Sequence, residues 1–149
     1  MKLGGVLAGL TVLLASLVAR VALGVPLPVE LISDRFLPFV PVAAFVPSLG
    51  VVGGPVLAKE LAFYSSFLIL IGIGLSAARG YARLDRHRLP ILAGAALAGW
   101  LLALAVLWPA LASNYHGLPP DSARLLAAGT LAVLFALLAG VLHVTRRYA

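Results

Sequence analysis

Four long runs of apolar residues, at 3 to 23, 58 to 78, 90 to 110 and 123 to 143, dominate the pattern along the chain. Each is long enough to cross a hydrocarbon core about 30 Å thick, which needs roughly 20 residues of helix. None alternates polar with apolar positions, as a membrane β-strand would, and inside lipid a helix satisfies all its own N–H and C=O groups. The pattern predicts an all-α integral membrane protein built as a four-helix bundle, one membrane domain filling residues 1–149.

The stretch between the first two runs does not fit a span. It opens with Val25-Pro26-Leu27-Pro28, carries Glu30, Asp34 and Arg35, and is then apolar but interrupted by Pro38, Pro41, Pro47 and Pro55 with Gly50, Gly53 and Gly54. A proline inside a helix removes a hydrogen bond and clashes with the preceding turn, at a cost of about 3 kcal/mol. Residues 29 to 53 are therefore expected as short helical pieces that lie at the membrane surface or dip into it, covered by protein. Prolines also mark helix starts at 55 and 90, where a missing N–H costs nothing. Trp108-Pro109 should close the third span, and Asp121 or Ser122 should cap the fourth. Gly72 with Ser76, and Ala95 with Gly99, are spaced to let helices approach closely.

Composition strengthens this picture: 62% of residues are hydrophobic and the mean hydropathy is +1.10. So little chain is left for loops that a soluble catalytic domain, about 100 residues, has no room. With zero cysteines, disulfides and thiolate-held metals are excluded. The formal charge of +6 reads as topology. Lys2, Arg79, Arg83, Arg86, Arg88, Arg146 and Arg147 fall on one side of the expected membrane, and Arg20, Arg35, Lys59 and Arg124 on the other. Seven against four puts both termini and the Arg79 to Arg88 loop in the cytoplasm of a cell whose inner (plasma) membrane holds the chain. The basic residues flank spans and form no face of a soluble fold, so nucleic acid is not an expected partner.

Chemistry is sparse. A bis-histidine haem needs imidazoles at matching depth, and only His87 and His143 fall on one side. No acid lies mid-span, as a proton or ion path would want, and the hydroxyls of Tyr64, Ser65 and Ser66 suit local hydrogen bonds. The ionisable residues nearest membrane depth are Arg20, Lys59 and Glu60. With Glu30, Asp34 and Arg35 they read in two ways: as a polar cluster that binds an anionic head group, a quinone or a partner protein, or as charges that pair and pin the Pro-rich segment to the helix ends.

Two loop stretches add a resemblance. Gly24-Val25-Pro26-Leu27-Pro28-Val29-Glu30-Leu31-Ile32-Ser33-Asp34-Arg35-Phe36-Leu37-Pro38, and Leu107-Trp108-Pro109 through Asn114-Tyr115-His116-Gly117-Leu118-Pro119-Pro120, resemble the N-terminal multi-span membrane region of bacterial molybdopterin-dependent oxidoreductases of the sulfite-oxidase-like family. In the fuller proteins of that family a soluble molybdopterin domain follows. This sequence has no cysteine of the kind such a domain places on molybdenum. The resemblance therefore implies a non-enzymatic, cofactor-free anchor or docking platform for an extracytoplasmic redox partner. It points to Glu30, Asp34, Arg35, Asn114, Tyr115 and His116 as the contact. The alternatives are a small membrane redox subunit binding quinone or haem, and a small transporter.

Overall fold

A computed structural model describes residues 2–83 and 88–147; the side chains of Lys2, Lys59, Ala62, Arg88, Arg146 and Arg147 lie outside the described residues. So do His87, Arg86 and the interfacial Tyr148 expected from the sequence. Among the described residues six α-helices follow one another: α1 (Lys2–Leu23), α2 (Pro28–Phe36), α3 (Val42–Val52), α4 (Pro55–Ala82), α5 (Arg88–Leu107) and α6 (Pro120–Arg147), with short 3-10 turns at Leu37–Phe39 and Ala110–Ala112. Four of them, α1, α4, α5 and α6, are long and apolar enough to cross a membrane, with mean hydropathy between 2.0 and 2.5. The chain is an all-α multi-pass membrane bundle, and much of its exposed surface consists of large apolar side chains suited to lipid.

The prolines divide the segment after α1 as physics requires. Pro28 opens α2, Pro38 falls in the 3-10 turn, Pro41 precedes α3, and Pro55 opens α4; in this segment Pro47 alone stands in the interior of an α-helix. Helix α3 has 11 residues, about 16 Å of rise, roughly half a hydrocarbon core. None of its residues is buried, and it folds back on the start of α4 through Gly53 and Gly54, both at positive φ. The 29 to 53 segment thus begins and ends at the same end of the bundle.

Several boundaries move from their expected places. Helix α4 runs four residues past Ala78, so Arg79 lies in its last turn and not in a loop. Helix α5 stops at Leu107 because Trp108 precedes Pro109, and a residue before proline is steered out of helical geometry. Neither Asp121 nor Ser122 caps α6. Pro120 opens that helix, with Ala123 N–H bonded to the Pro119 carbonyl, so Asp121 falls inside the first turn and pairs with Arg124 at 3.0 Å.

The spanning helices pack in the order α4, α1, α6, α5. The α1–α4 contact is the closest, and its small residues differ from those expected. A Cβ on Gly9 would stand 2.7 Å from the Leu70 carbonyl, and one on Gly5 2.9 Å from the Gly74 carbonyl. One on Gly74 would collide with the Gly5 carbonyl. The α4 row is therefore Gly74 and Ala78, both buried, whereas Gly72 has open space and Ser76 is exposed. On α5, Gly99 does serve as expected, receiving the Phe135 ring, but Ala95 is exposed. Trp100 donates its indole N–H to the Ala128 carbonyl at 2.9 Å and ties α5 to α6 inside the apolar layer.

Candidate functional site

One end of the bundle gathers nearly all the loop residues singled out by the sequence. Gly24, Val25, Pro26 and Leu27 leave α1 as a buried, non-helical link, turned at Gly24 by its positive φ. Leu27, the N-cap of α2, and Leu31, one turn further on, are fully buried with Leu111 and dock the start of α2 on the bundle end. This places the polar face of α2 beside the last turn of α1.

There Arg20 and Glu30 form a two-pronged ion pair. Arg20 Nε donates to Glu30 Oε2 at 3.0 Å and Arg20 Nη2 to Oε1 at 2.8 Å. Glu30 Oε2 also accepts from the Leu27 N–H at 2.8 Å, satisfying an otherwise orphaned first-turn donor of α2. The Arg20 guanidinium lies 4.6 Å from the centre of the Tyr115 ring, a cation–π stack.

The second loop is pinned by main-chain partners. Tyr115 N–H donates to the Gly24 carbonyl at 2.8 Å, and Asn114 Nδ2 to the Leu23 carbonyl at 3.0 Å, which satisfies an orphaned carbonyl at the end of α1. Asn114 Oδ1 accepts from His116 N–H at 2.8 Å. Gly24 makes this junction possible. Its φ is +68°, and a Cβ there would come within 2.8 Å of His116 and 2.9 Å of Asn114 Oδ1.

Arg35 does not join the cluster. Its Nε donates to the Val106 carbonyl at 2.8 Å, satisfying the C-terminal end of α5, while Phe36 and Phe39 flank the guanidinium. Asp34 and Glu60 are exposed, and among the described residues neither has an ion-pair partner. His116 is exposed and is held through its main chain. The sequence-predicted set thus splits: Arg20, Glu30, Asn114 and Tyr115 brace the fold, Arg35 caps α5, and the side chains of Asp34, Glu60 and His116 form no such bond among the described residues. Lys59 is placed on α4 by its backbone alone.

Sequence reasoning gave Arg124 no site role. It pairs with Asp121, faces the Trp108 ring at 5.9 Å, and has a buried Nε without a partner among the described residues. The basic residue four places beyond a Pro-Pro-Asp helix start was the available signal. At the far end of the bundle the Tyr81 hydroxyl and His143 Nδ1 share a hydrogen bond of 2.9 Å. His143 and His116, the two described histidines, are at opposite ends, so they cannot meet on one haem. Among the described residues no group of three or more His, Asp or Glu could hold a metal ion. Ser66 donates to the Phe63 carbonyl at 2.5 Å, the local bond expected of a hydroxyl in a membrane helix.

Burial would push the Glu30 carboxyl up, but the Arg20 hydrogen bonds, the Leu27 N–H and the Arg20 charge outweigh it and hold the group below its ordinary 4.5. Burial and the nearby Glu30 carboxylate push the Tyr115 phenol up, against a smaller opposing effect of Arg20, so the hydroxyl stays protonated. A carboxyl depressed in the folded state stabilises the fold fully above the unfolded value and loses that contribution as pH falls through the folded one. The thermal stability of the detergent-solubilised protein should therefore decline as pH drops below about 4.5. Glu30→Gln should be less stable at neutral pH and show a shallower decline across that window; parallel curves for the two proteins would count against the assignment.

No family model matches the chain, and neither a curated protein nor a solved structure matches it.

Proposed function

We propose that this chain is a non-enzymatic membrane subunit that anchors or docks an extracytoplasmic redox partner, with the partner meeting the loop-rich end of the bundle. The observation that carries the reading is the bracing of that end. Two loops far apart in sequence are locked together by the Arg20–Glu30 fork, the Tyr115 stack and the Asn114 and Tyr115 bonds to α1. A surface fixed this way costs little to order on association, which favours binding. It leaves Asp34 and His116 exposed for directional contact.

The Lys and Arg asymmetry supports the orientation, with the loop-rich end outside and both termini in the cytoplasm of an inner-membrane protein. The likeness of the two loop stretches to the membrane region of sulfite-oxidase-like enzymes supports a molybdopterin-type redox domain as the partner. The Glu30, Asn114, Tyr115 and Arg35 side chains then act indirectly, by shaping the platform.

Cysteines placed singly at Asp34 and His116 test both parts in cells. An impermeant maleimide added outside should label both, and the partner should slow the labelling. Asp34→Ala or His116→Ala should weaken co-purification of the partner by about 2 kcal/mol if either residue is central, while membrane insertion is unchanged. Labelling only after the cells are opened would reverse the topology. Loss of the partner in Arg79→Ala with Arg83→Ala, but not in the loop variants, would place docking on the wrong end.

A further inference from the structure

A cleft of about 970 Å³ opens at the loop-rich end between the last turn of α1, α2, the first turns of α4 and Tyr115. Leu37, Val56 and Phe63 supply an apolar wall, and Asp34, Glu60 and Tyr64 stand among its polar lining. The volume is at the upper end of the range for small-molecule sites, enough for a head group and the upper part of an alkyl chain. Arg20 also borders the space, but its charge is taken up by the fork to Glu30. Neither Asp34 nor Glu60 has an ion-pair partner among the described residues, so the described lining presents two uncompensated carboxylates.

The position of Glu60 sharpens the point. It lies five residues into α4, about 8 Å along the helix from Pro55. A carboxylate in a spanning helix is expensive unless it stands near an end, where it reaches water or a cation. Helix α4, with 28 residues, is about 42 Å long, longer than a hydrocarbon core, so its first turns stand at head-group level. Phe63 and Tyr64, edge to face at 5.9 Å, add aromatic surface of the kind that attracts organic cations.

We propose that this cleft binds an amphiphile with an ammonium head, the head between Asp34 and Glu60 and the alkyl chain along Val56 and Phe63. An ethanolamine lipid and a soluble alkylamine share this chemistry. The cleft shares Asp34 with the proposed docking face but does not rest on that role, and Glu60, Val56 and Phe63 belong to the cleft alone.

The test is calorimetric titration of the full chain, in dodecyl maltoside, with decylammonium and, separately, decyl phosphate. Decylammonium should bind saturably at one site and decyl phosphate should not. Asp34→Asn with Glu60→Gln should weaken binding at least tenfold. Val56→Trp, which keeps both charges and fills the apolar wall, should weaken it comparably while leaving partner co-purification intact. Melting curves confirm that each variant is folded. Competition by phosphatidylethanolamine added to the micelles assigns the site to a lipid head group, and its absence to a free amine. Unsaturable uptake that is equal in wild type and both variants, or equal binding of decyl phosphate, would overturn the proposal.

Discussion

Gly74→Val should separate α1 from α4 and lower the melting temperature of the detergent-solubilised protein more than any other single change considered. The atoms around the missing Cβ are main chain: the Gly5 carbonyl, then the Gly9 nitrogen at 2.8 Å. Main chain within a helix cannot swing aside as a side-chain tip can, so the two helices must move apart. Their contact is the largest in the bundle, and it depends on close approach because lipid tails are as apolar as the helix faces and give no hydrophobic drive to pair. Overpacking of a tight interior costs typically about 1–3 kcal/mol, and a branched residue facing backbone belongs at or above the top of that range. Gly72→Val, two residues away with nothing within 4 Å, is the matched control and should leave the melt nearly unchanged. Similar losses in both variants would mean that helix propensity, and not the interface, sets the effect.

Glu30→Ala should produce the second large loss, about 2–3 kcal/mol, by leaving two groups without partners at once. Arg20 would keep its charge in the last turn of an otherwise apolar helix, with its side chain only 33% exposed. The Leu27 N–H would lose its acceptor, and the guanidinium would no longer be held against Tyr115. The comparison that separates net stabilisation from the penalty of an orphaned charge is Arg20→Met combined with Glu30→Met. Two apolar side chains of similar length should recover much of the loss, since a buried pair is often replaceable by hydrophobic groups even when breaking it is costly. A double variant as unstable as Glu30→Ala would show that the ion pair itself holds the loops.

How much of this was legible in the sequence differs by level. The four spans were, because a run of about 20 apolar residues has few other uses. The break after α1 was also legible, since Pro41 and Pro55 mark where one helix must give way to the next, although α3 runs on through Pro47. The helix interface was not. Small residues at i and i+4 occur in several registers of an Ala- and Gly-rich span, and both faces are apolar, so nothing in the pattern chose Gly74 and Ala78 over Gly72 and Ser76. At the loop-rich end, the pairing of charges with helix ends was one of the two readings open from sequence, and Arg20 with Glu30 realises it. The roles of Asn114, Tyr115 and Arg35 were hidden for a common reason: their partners are main-chain groups of Leu23, Gly24 and Val106, and a carbonyl leaves no trace in the residue type that carries it.

The order α4, α1, α6, α5 has a consequence for biogenesis. Helix α6 emerges from the ribosome after the other three spanning helices, yet it is one of the two spanning neighbours of α1 and the main one of α5. Until it inserts, Trp100 has no Ala128 carbonyl for its indole N–H and Gly99 faces no Phe135 ring. The nascent chain must therefore park α5 in lipid with an unmet polar group, next to an α1–α4 pair already complete. A chain stalled before Pro120 would present to membrane quality-control proteases one finished helix pair and one loose span, and proteolysis of such an intermediate should begin in or around α5.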